Sequence, residues 1–314
     1  MKKVLLTGGS GFLGQALLSH HALDNVISVG RTRPKGVSNH VFCELGLAQD
    51  YSAALKKVDV VVHAAGRAHV MNESSKTAGD LYREVNTLST LRLAEQAAEA
   101  GVQRFIYIST IKVLGEKTIG SNRFSHDSDP SPCDYYSTSK FEAEVGLKDL
   151  CSQSNMEYVI IRPPLIYGPG VKGNFASLLS VVSLPLPLPL AGIQNSRSLV
   201  SVENVVDLIA TCVDAPAAKN QTFLVSDDDD MSTSELMIMM AKAKQRKLIM
   251  FTMPKFLMRL GLAIVGRGSM YERLYSSMRV DISHTKNQLG WYPKTNVAEG
   301  MRKIFAEEYT GGQS

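Results

Sequence analysis

The chain opens with the stretch Val4-Leu5-Leu6-Thr7-Gly8-Gly9-Ser10-Gly11-Phe12-Leu13-Gly14, in which an apolar run leads directly into a glycine-rich loop. The apolar run has the character of a buried β-strand, and the residues after Gly14 are helix-like. This order of strand, glycine loop and helix is typical of the first βαβ unit of a dinucleotide-binding domain. Gly8 permits the tight turn, Gly11 lets the backbone approach a pyrophosphate, and Gly14 lets the helix pack closely on the strand. The N–H groups at the helix N-terminus then face the phosphates.

Composition indicates an ordinary globular protein with a large core. The chain has 314 residues, of which 44% are hydrophobic and 20% charged, enough for one elaborated domain or two lobes. A net charge of +4 without a basic block suits an anionic small molecule and does not favour nucleic acid. The four cysteines show neither metal-ligand spacing nor the density of a disulfide framework. The N-terminus leads directly into the first strand without a signal peptide, so we expect a cytoplasmic location.

One long apolar tract, Ala176–Ile193, raises the question of a membrane span. Pro185, Pro187 and Pro189 alternate with leucines there, which is incompatible with a regular helix. We therefore predict a buried, extended loop and no membrane partner.

Strand and helix signals alternate through the first half of the chain, which predicts a doubly wound parallel α/β sheet. The predicted strands after the first are Val26–Val29, Val58–His63, Arg104–Ser109 and Tyr158–Arg162. The predicted helices between them are Tyr51–Lys57, Asp80–Ala100 and Ser137–Leu150.

Beyond about Tyr167 the strict alternation ends, which predicts a smaller C-terminal substrate-binding lobe. We expect residues 1–166 to form the dinucleotide-binding domain, with returning elements at about 198–226. Residues 167–197 and 227–314 then form the lobe. The returning elements comprise possible strands Ser198–Val202 and Thr222–Ser226 around a helix, Asn204–Val213. The acidic run Asp227–Asp230 is expected to be a solvated turn before a helix that opens with the capping box Ser232–Glu235.

Tyr136 and Lys140 place a phenol and an ammonium on one face of a helix, because they are four residues apart. A neighbouring ammonium stabilises phenolate, so we expect the pKa of Tyr136 to be lowered toward that of a general acid or base. The alternative from spacing alone is an ordinary surface pair.

Taken together, the motifs resemble the extended short-chain dehydrogenase/reductases, and more narrowly the nucleotide-sugar epimerase/dehydratase family. They occur in the family's order over nearly the whole chain. The motifs are Thr7–Gly14, Val62-His63-Ala64-Ala65-Gly66, Val85-Asn86, Phe105–Thr110, Tyr136-x-x-x-Lys140, Arg162-Pro163, Tyr167-Gly168-Pro169 and Leu289-Gly290-Trp291-Tyr292-Pro293. The resemblance implies a Rossmann domain that binds NAD or NADP, and a nucleotide-sugar substrate, most simply a UDP-sugar.

The resemblance also implies roles for the catalytic residues. Tyr136 would exchange the proton with a sugar hydroxyl or ketone, and Lys140 would hold the nicotinamide ribose. Thr110 would hydrogen-bond the same sugar oxygen, while Asn86 would support the site or be a satisfied buried amide. His63 would pack against cofactor or backbone and is not expected to bind a metal, because no partner ligand has suitable spacing.

Further positions follow from the same resemblance. The cofactor positions are Gly8, Gly11, Phe12, Leu13, Gly14, Arg31, Glu44, Leu45, Ala64, Ala65, Gly66, Tyr136, Lys140 and Pro163. The substrate positions are Asn174, Phe175 and Arg197, with either Arg273 or Arg279 as a second phosphate ligand. A homodimer through the helices Asp80–Ala100 and Ser137–Leu150 is also implied, although the small-residue face of the first helix would equally suit packing on the sheet.

Two departures from the family pattern bear on cofactor and reaction. Gly30 stands where NAD-preferring relatives carry an acid, and Arg31 beside it suits a 2′-phosphate, so NADP is an alternative to NAD. Ile111-Lys112 replaces the acid–base pair of the sugar 4,6-dehydratases, and Lys112 also stands where the epimerase-reductases of the fucose pathway have a cysteine.

These departures disfavour dehydration and multi-centre epimerisation, and leave hydride chemistry at one carbon. We therefore expect a 4-epimerase or a 4-keto-sugar reductase acting on a UDP-hexose or UDP-N-acetylhexosamine. The alternatives are a non-catalytic NAD(P)-sensing regulator on the same fold and a reductase of a non-sugar substrate. The Tyr136/Lys140 pair argues against the regulator, and Arg197 with the C-terminal lobe argues against the non-sugar substrate.

Overall fold

The computed structural model describes residues 2–21, 23, 25–67, 76–171, 173–264, 266 and 268–310. Its strands are β1 (Val4–Thr7), β2 (Val26–Gly30), β3 (His40–Phe42), β4 (Val60–His63), β5 (Arg104–Ile108), β6 (Glu157–Arg162), β7 (Leu165–Tyr167), β8 (Leu199–Ser201) and β9 (Gln221–Leu224). Seven of them form one sheet in the order β3-β2-β1-β4-β5-β6-β9, and every pairing is parallel. The predicted doubly wound sheet is confirmed.

The helices are α1 (Phe12–Leu18), α2 (Ser52–Leu55), α3 (Lys76–Tyr82), α4 (Ser89–Glu99), α5 (Tyr135–Ser152), α6 (Asn174–Val182), α7 (Val202–Asp214), α8 (Thr233–Ala243), α9 (Lys255–Ile264), α10 (Gly268–Tyr275), α11 (Ser283–Leu289) and α12 (Val297–Thr310). A π-helical segment, Arg83–Leu88, joins α3 to α4, and 3₁₀ turns span Ile111–Val113 and Pro216–Ala218.

Two hydrophobic cores lie on the two faces of the sheet, because side chains alternate along each strand. On β1, Val4 and Leu6 belong to one core, to which α7 contributes heavily, and Leu5 belongs to the other, which includes residues of α2, α4 and α5. The strand order reverses between β1 and β4. In open α/β sheets ligands bind beyond the carboxyl ends of the strands at such a switch point. The site is therefore expected where the glycine loop and Ala64–Gly66 follow these two strands.

The C-terminal lobe has a third core, built from α6, α8, α12 and the loops around them. β7 pairs with β8 in a separate parallel ladder, so the strand predicted at Ser198–Val202 does not join the main sheet. The strand predicted at Thr222–Ser226 does join it, as β9 next to β6. The helix predicted at Asn204–Val213 is observed as α7, and the capping box at Ser232–Glu235 is confirmed at the start of α8.

Three local predictions need correction. The helix predicted over Asp80–Ala100 is interrupted by the π-helical segment, so it does not run as one α-helix. The apolar tract Ala176–Ile193 begins within helix α6, and its proline-rich part is not buried, because residues 184–187 are exposed. Asp227 is buried rather than solvated, since its carboxylate accepts hydrogen bonds from Tyr167 Oη (2.6 Å) and Asn204 Nδ2 (2.6 Å). Within the described residues no helix is long and apolar enough to cross a membrane.

Candidate active site

The glycine loop leaves no room for side chains at two of its three predicted positions. A methyl group on Gly8 would lie 2.7 Å from the amide nitrogen of Ala65, and Gly8 has a positive φ of 74° that favours glycine. A methyl group on Gly14 would lie 2.1 Å from the carbonyl oxygen of Gly8. The Gly11 N–H donates to the same carbonyl at 2.9 Å, which closes the turn onto the start of α1. The loop is therefore a bare backbone surface at the switch point of the sheet.

The rim of this surface carries the predicted cofactor-selecting residues. A methyl group on Gly30 would meet nothing within 4 Å, so the end of β2 is open. The Arg31 guanidinium lies 3.7 Å from the Glu44 carboxylate, and both side chains are about three-quarters exposed (78% and 76%). Leu45 next to Glu44 packs against the core beneath the sheet. The structure therefore brings Arg31, Glu44 and Leu45 to one edge of the predicted cofactor site.

Asn86 fixes the loop after β4. Its side-chain oxygen accepts from the Arg67 amide (2.7 Å), and its nitrogen donates to the Arg67 carbonyl (3.1 Å) and to Ser139 Oγ on α5 (3.0 Å). Asn86 lies in the π-helical segment and is 1% exposed. π-helical turns often occur at functional sites because they redirect side chains. Here the turn lets one buried amide connect the loop next to Gly66 with the helix that carries Tyr136 and Lys140.

His63 is part of a buried hydrogen-bond chain and has no free nitrogen. Thr90 donates its hydroxyl to the Asn86 carbonyl (2.7 Å), so Thr90 Oγ1 accepts from His63 Nε2 (2.9 Å). Thr7 Oγ1, which accepts from the Ala65 amide at 3.3 Å, then donates to His63 Nδ1 (2.7 Å). Burial and the nearby Lys140 charge lower the pKa of His63 to about 3. His63 is therefore a neutral crosslink between β1, β4 and α4.

Thr110, Tyr136 and Lys140 come together at the carboxyl end of β5. Thr110 Oγ1 accepts from the Lys112 amide (3.3 Å), which leaves its hydroxyl proton to be donated to the Tyr136 oxygen. Lys140 is buried, donates to the Ile108 carbonyl (2.9 Å) and lies 4.7 Å from the centre of the Tyr107 ring. A methyl group on Gly66 would lie 3.2 Å from Lys140 Nζ, so the loop after β4 and the helix α5 converge on this ammonium.

The electrostatics of this cluster differ from the prediction. Burial, the Asp134 carboxylate and Tyr82 raise the pKa of Tyr136, and the Thr110 hydrogen bond lowers it, with the result at about 12. Tyr136 is therefore a neutral phenol at neutral pH, where the Tyr–Lys spacing predicts a lowered pKa. Burial lowers the pKa of Lys140 to about 8, opposed by the Glu144 carboxylate one turn away.

Lys112 contacts the start of the helix that carries Tyr136. Its ammonium lies 2.8 Å from Asp134 Oδ2 and 3.4 Å from Glu116 Oε1. Asp134 is the N-cap of α5, since its Oδ1 accepts from the Ser137 amide (2.6 Å) in a capping box. The Lys112 charge thus partly neutralises the carboxylate that raises the pKa of Tyr136. Asp134 was not among the predicted site residues, although an aspartate three residues before Ser137 is a typical helix-start signal.

A buried ion pair holds α5 against the sheet. Arg162 at the end of β6 donates to both carboxylate oxygens of Glu144, at 3.0 and 2.5 Å, and both side chains are fully buried. The neighbouring Pro163 uses its carbonyl to accept from the Ile111 amide at 3.0 Å, next to Thr110. Glu144 was also missed by sequence reasoning, because nothing in the sequence pairs it with an arginine 18 residues later.

The residues predicted to bind the substrate lie in different surroundings. Phe175 is fully buried, and its ring centre lies 5.5 Å from that of Tyr167, so its side chain belongs to the lobe core. The side chain of Asn174 lies outside the described residues. The Arg197 guanidinium is half-buried and donates to the carbonyls of Arg273 (2.8 Å) and Ser276 (3.4 Å). Burial, and then the Arg273 charge, lower the pKa of Arg197.

Arg273 and Arg279, between which the sequence gives no choice, differ in their surroundings. The Arg279 guanidinium donates to the carbonyl of Gly120 and the Arg279 carbonyl accepts from Phe124, so Arg279 fastens the 118–124 loop to the lobe. Arg273 is exposed beside Arg197. Of these two arginines, Arg273 is therefore the one whose carbonyl accepts from the Arg197 guanidinium.

Comparisons with known proteins identify the family. Residues 4–226 match the NAD dependent epimerase/dehydratase family. The chain belongs to this family. A UDP-glucose 4-epimerase from Vibrio cholerae is 44% identical over 308 residues, covering 96% of this chain and 94% of that protein.

Solved structures share the fold over the whole chain. A UDP-glucuronic acid 4-epimerase from Bacillus cereus in complex with NAD gives a TM-score of 0.76 at 20% identity, covering 98% of this chain and 99% of the other. RMD from Pseudomonas aeruginosa complexed with NADPH gives 0.73 at 19% identity, covering 99% and 100%. As a member of the family, the protein is an enzyme that uses NAD or NADP.

The residues present fit such a cofactor. The bare glycine loop precedes α1, whose first N–H groups have no side-chain cap, and this is the arrangement that binds a pyrophosphate. Arg31 and Glu44 lie close together near the end of β2 and would face the adenosine, while Lys140 lies beside Gly66 and would face the nicotinamide ribose. Phe12 and Leu13 are half-buried against the core, so they contribute backbone to the loop rather than exposed side chains.

Proposed function

We propose that this protein is an NAD(P)-dependent enzyme acting at C4 of a UDP-sugar, in the first instance a 4-epimerase. The single observation that carries the proposal is the Thr110–Tyr136–Lys140 cluster in a chain that is 44% identical, over nearly its whole length, to a UDP-glucose 4-epimerase. The residues that follow Thr110 support one-carbon chemistry. Ile111 has no ionisable group, and Lys112 is engaged with Asp134 and Glu116, so a dehydratase's acid–base pair is missing.

The mechanism uses Tyr136 as the proton-transfer group. When bound, the nicotinamide ring supplies the hydride acceptor and donor for C4. In its phenolate form, Tyr136 Oη takes the proton of the C4 hydroxyl as the keto-sugar forms, and the phenol returns this proton when the sugar is reduced. Thr110 donates a hydrogen bond to the Tyr136 oxygen, which stabilises the phenolate needed for the first step. The Lys140 ammonium lies beside Gly66, where it would hold the cofactor ribose.

Arg197 and Arg273 are proposed to bind the diphosphate of the nucleotide. The Arg273 charge disfavours the positive charge of the half-buried Arg197. A bound diphosphate would offset this repulsion between the two arginines. The Arg197→Met variant is expected to raise KM for a UDP-sugar by roughly 10- to 100-fold, since a charge-assisted hydrogen bond is lost. Arg279→Met is the matched control, because its guanidinium donates to Gly120 in the 118–124 loop and not to the segment that carries Arg273, and its KM is expected to change much less.

A 4-keto-sugar reductase is the second candidate, and the open end of β2 favours it. Gly30 offers no acid to bind ribose hydroxyls, and the exposed Arg31 would suit a 2′-phosphate. A reductase that exchanges NADPH between turnovers would use the same Tyr136.

The two candidates are separated by the cofactor that survives purification. Stoichiometric NAD, released by denaturation, together with conversion of UDP-glucose or UDP-N-acetylglucosamine to its C4 epimer, supports the epimerase. Empty protein that binds NADPH more tightly than NADH supports the reductase. Protein that binds neither contradicts both candidates.

The domain boundaries, a homodimer and a cytoplasmic location are also proposed. The paired strands β7 and β8 mark the proposed boundary, because the chain leaves the Rossmann domain (residues 1–166 with 198–226) after β7 and returns to it just before β8. The homodimer no longer draws support from the small-residue face of α4, because Ala94 and Ala97 are fully buried within the chain. The exposed Val145 on α5 remains available to a partner. Sedimentation analysis tests the dimer.

The four free cysteines are compatible with a reducing compartment.

A further inference from the structure

Helix α9 turns its apolar face toward solvent. Phe256, Leu257, Leu260 and Ile264 are 69%, 44%, 56% and 77% exposed, and Met258 is the helix's one buried residue among those described. Their spacing places the four side chains on a single side of the helix. Surface apolar residues are ordinary when they occur singly, but a continuous apolar face of this kind marks an interaction site.

A neighbouring segment extends the same apolar surface. The proline-rich loop leads into Leu188, which pairs with the segment before α9: its amide donates to the Ile249 carbonyl (2.9 Å), and its carbonyl accepts from the Phe251 amide (3.0 Å). Leu184, Leu186, Ile249 and Phe251 are all exposed. We call these four residues, together with the exposed α9 residues Phe256, Leu257, Leu260 and Ile264, the α9 surface.

The stretch of sequence that contains α9 carries only positive charge. Between Glu235 and Glu272 the sequence contains no acidic residue and seven basic ones: Lys242, Lys244, Arg246, Lys247, Lys255, Arg259 and Arg267. The whole chain has a net charge of only +4, so the remaining residues are net negative. Lys255 and Arg259 are exposed on α9 itself. The surface therefore combines protruding apolar side chains with a localised basic patch.

We infer that the α9 surface binds the face of an anionic phospholipid bilayer. A short helix with an apolar side and flanking Lys/Arg lies in the plane of the interface, with its apolar side about 5–10 Å into the headgroup region. Anionic headgroups attract the basic side chains. The ten residues of α9 are too few to span a bilayer, so this is peripheral attachment. The inference departs from the expectation of no membrane partner.

Charge decides between a bilayer and a second copy of the chain. A two-fold contact through the α9 surface would bring one basic patch against another, which is unfavourable without intervening acids. An anionic bilayer supplies the missing negative charge. The inference rests on this surface alone and does not depend on the proposed function.

The test is sedimentation of the full-length protein with vesicles. We expect binding to phosphatidylcholine vesicles that contain about a quarter phosphatidylglycerol, weak binding to phosphatidylcholine alone, and release at about 0.5 M salt. The double variants Phe256→Glu/Leu260→Glu and Lys255→Glu/Arg259→Glu should each weaken binding by about tenfold or more. Ile119→Glu is the matched control, because Ile119 is 76% exposed but lies outside the α9 surface.

A second readout avoids dependence on these charged variants. The chain has one tryptophan, Trp291, which is buried, so Phe256→Trp places a reporter on the α9 surface. Its emission should shift to shorter wavelength with anionic vesicles. Protein that stays in the supernatant with an unshifted spectrum overturns the inference. It is also overturned if Phe256→Glu/Leu260→Glu converts a dimer to a monomer while no form of the protein binds vesicles.

Discussion

Removing the Lys112 ammonium should shift the pH dependence of catalysis without removing a group from the reaction. The Lys112→Met variant leaves the Asp134 carboxylate, which raises the pKa of Tyr136, without its cation at 2.8 Å. The pKa of Tyr136 then rises further. In the reaction direction in which Tyr136 accepts a proton, the limb of the profile where kcat/KM increases with pH should therefore move to higher pH. Asp134→Asn removes the carboxylate charge and should move the same limb to lower pH. Asparagine still caps the helix.

The size of the effect follows from the exposure of the ion pair. The Lys112 and Asp134 side chains are each about one-third exposed (33% and 37%), so water screens their interaction. Single charge interactions at this exposure, including those of Lys112 and Asp134 with the Tyr136 oxygen, are about 0.2–1 kcal/mol. Because 1.4 kcal/mol corresponds to one pH unit, each single variant should shift the limb by roughly 0.5 pH unit.

Asp134 also adds to stability. Because its pKa is lowered in the folded protein, this contribution is present above the unfolded value of 3.8 and is lost as the pH falls below it.

The assay is kcat/KM against pH for the wild type, both single variants and the double variant Lys112→Met/Asp134→Asn. The double variant restores the net charge beside Tyr136, so its profile should return close to that of the wild type. Asp134→Ala serves as a control for the cap, with a stability loss of about 1 kcal/mol. If both single variants move the limb in the same direction, or lower the rate equally at every pH, the electrostatic reasoning is wrong.

Three further predictions concern the loop, the ion pair and the lobe. Gly14→Ala should abolish cofactor binding because its methyl group would lie 2.1 Å from a loop carbonyl, whereas Gly30→Ala, with open space around it, should bind normally in equilibrium titration. Glu144→Gln leaves the buried Arg162 charge without its partner and should lower the free energy of unfolding by about 3–5 kcal/mol in denaturant titration; a loss below 1 kcal/mol would contradict the pairing. Phe175→Ala should cost about 3–5 kcal/mol of stability with little change in KM, and a selective rise in KM would return Phe175 to the substrate site.

The sheet, and the position of Tyr136 and Lys140 on one side of a helix, could be predicted from the sequence because both depend on local pattern. Alternation along each strand assigns Leu5 to one core and Leu6 to the other, and the four-residue spacing brings Tyr136 and Lys140 to one side of α5. The structure also gives Asn86 a role that spacing alone does not, since its three hydrogen bonds reach residues 19 and 53 positions away.

Features that depend on residues distant in the sequence could not be predicted, because a local pattern does not contain those residues. The sequence pattern predicts a solvated turn at Asp227. Its carboxylate is instead buried against Tyr167 and Asn204, which lie 60 and 23 residues earlier. The raised pKa of Tyr136 depends on burial and on Asp134, which a Tyr–Lys spacing does not contain. Side-chain direction is likewise not given by a motif, and Phe175 shows this by pointing into the lobe core.

The most direct test of C4 oxidoreduction follows the hydrogen on C4 itself. UDP-glucose carrying deuterium at C4 is incubated with the purified enzyme in ordinary water, and the epimer is examined by NMR. Because Tyr136 moves only the hydroxyl proton, we predict that the deuterium stays on C4 of the product, and that Tyr136→Phe slows its formation by about 100-fold or more. A product that has exchanged this deuterium for solvent hydrogen would contradict hydride transfer at C4.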